Sequence, residues 1–138
     1  MIKVLIIILG LPFLASTSFA ATPEQVTNKT EINKILSQIP VTDKDMNYQN
    51  IGERLVNIGM TVSSIIIYKI AKKSDLESNE DRIGDTIFQI YTSNPSSVLT
   101  TNYCNMLGSP TYLKRGGRYI PRDRTAVWLM TSKCKLPK

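Results

Sequence analysis

The spacing of apolar positions changes several times along the chain, and each change predicts an element. Val26, Ile32, Ile35, Leu36 and Ile39 recur at mostly helical spacing. Thr22 is placed to cap a helix, Pro23 fits its first position, Gln25 suits a capping box and Pro40 is a stop. Residues 41–59 are polar with scattered apolar positions, and predict a short second helix opening at Thr42 to Asp45 and ending near Gly59. Met60 to Ile70 is dense in β-branched side chains and predicts a strand. Alternation places Met60, Val62, Ile66, Tyr68 and Ile70 on one face, with Ile65 and Ile67 on the other. A strand apolar on both faces is expected to be covered on both.

The second half reads as follows. Ser78 or Asn79 caps a helix whose first turn holds Glu80 and Asp81 and whose stripe is Ile83, Ile87, Phe88, Ile90 and Tyr91. Asn94-Pro95 breaks it, and Ser96 or Ser97 restarts a helix carrying Val98, Leu99, Tyr103, Cys104 and Leu107. Ser109-Pro110 opens one or two further turns, closed by Gly116-Gly117; the alternative is that these glycines are themselves a hairpin turn. Arg118 to Pro121 is a strand, 121–124 a turn and 125–135 the last strand. Ala126, Trp128, Met130, Ser132 and Cys134 share that strand's inner face, so Trp128 is expected in the core. Val127 and Leu129 join Ile65 and Ile67 on a second apolar side, covered by the N-terminal helix or exposed as a patch that binds something.

The start of the chain sets the compartment. Lys3, the apolar run Val4 to Phe13 and the small residues Ser18 and Ala20 form the pattern of a secretory signal peptide, residues 1–20. The mature chain, 21–138, is then a single domain in a periplasm or outside the cell, with no further segment apolar enough to span a bilayer. In that compartment the two cysteines, Cys104 and Cys134, are expected to pair. Closing a loop of about 30 residues stabilises a fold by about 3.5 kcal/mol.

Charge divides the chain unevenly. Residues 21–101 carry 8 basic and 10 acidic groups, whereas residues 102–138 carry 8 basic and 1 acidic. The basic character therefore belongs to the C-terminal part, and suits an acidic protein or an anionic envelope component. Lys114, Arg115, Arg118, Tyr119, Arg122 and Arg124 are the candidate contacts, with Tyr112 nearby: basic groups interleaved with tyrosine, able to grip carboxylate or phosphate in pairs. Export argues against a nucleic-acid partner.

Catalytic chemistry is poorly represented. There is no histidine, which removes the commonest general base and metal ligand. No G-x-S-x-G or phosphate-binding loop occurs, and Ser132-Lys133 is a chance dipeptide. The carboxylate pairs Asp43/Asp45, Glu80/Asp81 and Asp81/Asp85 lie in polar segments, where they are expected to be solvated. No catalytic residue, cofactor or metal ligand is therefore assigned. The expectation is an α+β domain: a small antiparallel sheet of about three strands (60–70, 118–121, 125–135) on helices from 79–107, with one disulfide. Its expected role is that of an exported, non-enzymatic bacterial accessory factor of a secretion, pilus or conjugation apparatus, using a basic C-terminal hairpin. The alternative is a periplasmic inhibitor or immunity protein against a toxin or hydrolase.

Overall fold

A computed structural model describes residues 22–42, 49–57, 59–93 and 109–131. The expected signal peptide, the expected helix over 96–107 and both cysteines lie outside these residues, and so does the expected Cys104–Cys134 bridge.

The architecture is α+β, with five strands among the described residues rather than about three. These are β1 (Glu24–Val26), β2 (Val62–Lys69), β3 (Thr86–Thr92), β4 (Thr111–Arg115) and β5 (Arg118–Pro121). They form one sheet in chain order, every neighbouring pair antiparallel. Three helices, α1 (Lys29–Gln38), α2 (Ile51–Asn57) and α3 (Arg124–Thr131), contribute to a core on one face of that sheet.

Local chemistry explains where the elements differ from the sequence pattern. The first helix starts at Lys29, because Asn28 caps it: its Oδ1 accepts the Glu31 N–H at 3.0 Å. Thr22 and Pro23 are left outside, and Glu24 to Val26 pairs with Ile65 to Ile67 as an edge strand. The second helix lies within the expected range but starts only at Ile51, after the Pro40–Asn50 bridge, its first turn capped by Asn50, whose Oδ1 accepts the Glu53 N–H at 2.9 Å.

The largest corrections concern 79–93 and 124–131. Thr86 to Thr92 is a strand, not a helix. Phe88 and Ile90 face the helices while Ile87 faces the opposite side, and all three are buried. Burial on both faces of a strand produces apolar spacing that imitates a helical stripe. Arg124 to Thr131 is a helix, not a strand; Ala126, Leu129 and Met130, at i, i+3 and i+4, are its buried stripe. Asp123 starts it, with Oδ1 accepting the Ala126 N–H at 2.7 Å. Trp128 is half-buried and packs against the core rather than lying within it. Asp123 Oδ2 also accepts the Thr111 N–H at 2.9 Å, tying α3 to β4. Asp123→Ala is therefore expected to lose more than an ordinary cap, about 2 kcal/mol, in urea unfolding.

Gly116 and Gly117 form the hairpin turn, with φ of 59° and 80°. Two consecutive positive φ values are what a two-residue type I′ turn requires, and glycine adopts them without strain. The short helix over 111–115 is accordingly replaced by β4, paired with β5 across that turn.

The faces of β2 also differ from simple alternation. A register irregularity between Val62 and Ser64 shifts the pleat. Met60 and Val62 thereby join Ile65 and Ile67 on the helix side, whereas Tyr68 and Ile70 belong to the far side. The first group packs with Ile32 and Leu36 of α1, so the N-terminal helix does cover the Ile65 face.

Candidate binding surface

The far face of the sheet is organised by register. Tyr68, Ile87, Leu113 and Ile120 are paired in sequence across β2 to β5 and form one row. Arg115 lies two residues beyond Leu113, and Arg122 two residues beyond Ile120 and opposite Thr111, so they flank this row on its two sides.

Each arginine holds a carboxylate from the connection between β2 and β3. Arg115 donates from Nε to Asp85 Oδ1 at 2.9 Å and from Nη2 to Asp85 Oδ2 at 2.8 Å, with a further bond to the Glu80 carbonyl at 2.9 Å. Arg122 donates from Nε to Asp81 Oδ1 at 2.9 Å and from Nη2 to Asp81 Oδ2 at 2.6 Å. These are two fork-to-fork pairs, the strongest geometry available to arginine. Since Asp85 binds on one side of the apolar row and Asp81 on the other, the chain between them crosses it. Ile87 and Leu113 beneath are 0% and 1% exposed. We refer to residues 71–85 as the strap.

Sequence reasoning placed Asp81 and Asp85 in solvent; both are buried. Burial opposes ionisation of Asp81, but the Arg122 hydrogen bonds and the Glu77 and Ser78 N–H groups outweigh it, so its pKa lies below the ordinary value. For Asp85 the Arg115 hydrogen bonds dominate, again lowering the pKa against burial. The arginines 30 and 41 residues away were legible as cations, but nothing local marked these two acids as their partners.

The six candidate contact residues do not form one patch. Arg115 and Arg122 are committed to the strap. Arg118 stands opposite Arg115 at the tip of the β4–β5 hairpin and is exposed. Lys114 and Tyr119 lie on the helix side, the ammonium 5.1 Å from the ring centroid, and Tyr119 packs edge-on against Phe88 at 5.5 Å. Arg124 is exposed at the start of α3, its guanidinium 5.6 Å from the Trp128 ring. Among the described residues, Lys114, Arg118 and Arg124 have no carboxylate partner. These three surround β5.

Among the described residues β5 is an edge strand, and one poorly suited to extending the sheet. The Arg122 N–H donates to Thr111 O at 2.8 Å, so alternation turns the main-chain groups of Tyr119 and Pro121 outward. Pro121 has no N–H, and Tyr119 is left as the one outward donor within the strand.

Two concavities lie elsewhere. A cleft of about 900 Å³ separates α1, α2 and the start of β2. Its floor is already closed: Ile32, Leu36, Leu55 and Met60 are 1–4% exposed, and Val56 at the lip is its exposed apolar group. A smaller hollow of about 420 Å³ lies between Glu80, Pro121, Arg124 and Trp128. Among the described residues, no helix is long and apolar enough to cross a membrane, and no group of three His, Cys, Asp or Glu could hold a metal ion. No family model, no curated protein and no solved structure matches the chain.

Proposed function

We propose that the protein is an exported, non-enzymatic accessory protein of a bacterial envelope that binds an acidic protein partner along β5. The observation that carries this reading is the arrangement of Lys114, Arg118 and Arg124 around that edge. These cations have no carboxylate partner among the described residues, while the more deeply placed arginines do. Arg118 and Arg124 are exposed and Lys114 is half-buried; charges near the surface act through long-range attraction and accelerate encounter more than they tighten a complex. The proline-blunted edge favours contact through side chains over strand addition.

The test uses residues 21–138 and poly-L-glutamate as the acidic probe, titrated at low and moderate salt. Replacing Lys114, Arg118 and Arg124 together by alanine is expected to weaken binding about tenfold, at under about 1 kcal/mol for each charge. The salt dependence should flatten in parallel. Unchanged affinity and salt dependence would end the reading.

A further inference from the structure

We infer that the strap is a displaceable cover, and that Asp81 and Asp85 occupy the two arginines that an acidic peptide segment of the partner takes over; the inference rests on the acidic partner proposed above. Three observations lead to it.

First, polar contacts hold the strap more than apolar ones do. Its large apolar side chains, Leu76 and Ile83, are 36% and 60% exposed, so they contribute little to seating it. Its attachment is Arg115 to Asp85 and the Glu80 carbonyl, and Arg122 to Asp81 with a longer contact to Glu77 at 3.6 Å. A carboxylate of another chain can satisfy an arginine fork in the same geometry, so exchanging partners leaves no buried charge unpaired.

Second, the strap has a defined base from which to swing. Ile70 N–H donates to Asp85 O at 2.8 Å and Gly84 N–H to Ile70 O at 2.7 Å, closing the loop where it leaves the sheet. Gly84, at φ 102°, is a position where glycine is freer to change conformation than any other residue, and Asp85, on the sheet side of it, releases Arg115 by turning its side chain while its backbone stays at the base. Within the strap, Asp75 accepts the Ala71 and Lys72 N–H groups at 2.9 and 3.0 Å, forming a turn independent of the arginines.

Third, what lies beneath is a composite surface. The row Tyr68, Ile87, Leu113 and Ile120 runs between Arg115 and Arg122. Uncovered, it presents an apolar strip with a guanidinium on each side. That suits a peptide with two carboxylates on either side of an apolar side chain, and Arg118, exposed beside Arg115, extends the cationic side.

The experiment follows amide hydrogen exchange in wild-type protein as poly-L-glutamate is added. The Glu77, Ser78 and Arg82 N–H groups donate to Asp81 and Asp85 in local turns that are part-buried while the strap is seated; once it lifts, these turns stand in water and open, so the three amides are expected to exchange at least tenfold faster, while those of β3 and β4 stay protected. Binding that leaves these three amides unchanged overturns the inference and spares the edge reading. In a second arm, Asp81→Asn/Asp85→Asn is compared with Glu77→Gln/Glu80→Gln, which removes the same charge from the strap but leaves both forks in place. The first pair is expected to bind the probe at least tenfold more tightly than the second; equal affinity overturns the inference. If the asparagine pair binds while the Lys114, Arg118 and Arg124 replacements change nothing, the cover stands and the edge reading falls. Tightening towards phosphatidylglycerol vesicles but not towards the polypeptide overturns the assignment of the partner as a peptide.

Discussion

Asp81→Ala is expected to destabilise the fold by about 3 kcal/mol, the loss typical when one member of a buried ion pair is removed and the other stays. The Arg122 side chain is 9% exposed and would keep its charge with no carboxylate fork around it. Tyr68 Oη, 3.5 Å from Nη1, and Glu77, 3.6 Å from Nη2, are too distant to replace two short charged bonds. The Glu77 and Ser78 N–H groups would lose their acceptor as well, so the strap loosens from both sides. Chemical denaturation of Asp81→Ala beside wild type measures the loss. Arg122→Met should cost less than Asp81→Ala, although it leaves Asp81 buried, because two backbone N–H bonds still satisfy that carboxylate.

The same pairs set an acid limit. Asp81 and Asp85 both have folded-state pKa values below the unfolded value of 3.8. A lowered pKa means that the unfolded chain takes up protons first, so the stabilisation is complete above the unfolded value. It is lost as pH falls through the lower folded-state values. Stability measured downward from pH 5 is therefore expected to decline near pH 4 and below, and Asp81→Asn/Asp85→Asn should remove much of that slope. An unchanged slope would place the acid sensitivity in other carboxylates.

The sequence pattern located elements better than it typed them. Met60 to Ile70 was legible as a strand because β-branched density is a local property, and Val62–Lys69 is one. Thr86 to Thr92 was misread because its type depends on what covers it. A strand with a helix layer on one side and a strap on the other needs apolar side chains in both directions, and loses its alternation. Arg124 to Thr131 was misread for the opposite reason: Thr125, Val127 and Trp128 have strand propensity, but Asp123 caps a helix and burial of Ala126, Leu129 and Met130 decides the outcome. The C-terminal cations were plain in composition, yet composition could not separate Arg115 and Arg122, which hold the strap, from Arg118 and Arg124, which face outward. That division arises from strand register, which places distant residues side by side.

Ile90→Ala is expected to cost about 3–4 kcal/mol, and its comparison with Ile83→Ala separates the two readings of this segment. Under the helical reading Ile83, Ile87 and Ile90 share one buried stripe, and all three truncations should be similarly severe. In the observed fold Ile83 belongs to the strap and is 60% exposed, whereas Ile87 and Ile90 are each fully buried on opposite faces of β3. Ile83→Ala should therefore change stability by less than about 0.5 kcal/mol. Ile90 pairs with Ile65 of β2 and shares its core cluster with Tyr112 and residues of all three helices, so truncation opens a void in the main core, where close packing leaves little room to collapse. Ile87 lies under the strap, a cover that can settle, and its truncation should cost about 2–3 kcal/mol. The expected order, Ile90 above Ile87 and both far above Ile83, is a direct readout of strand geometry, and equal losses at all three would restore the helix.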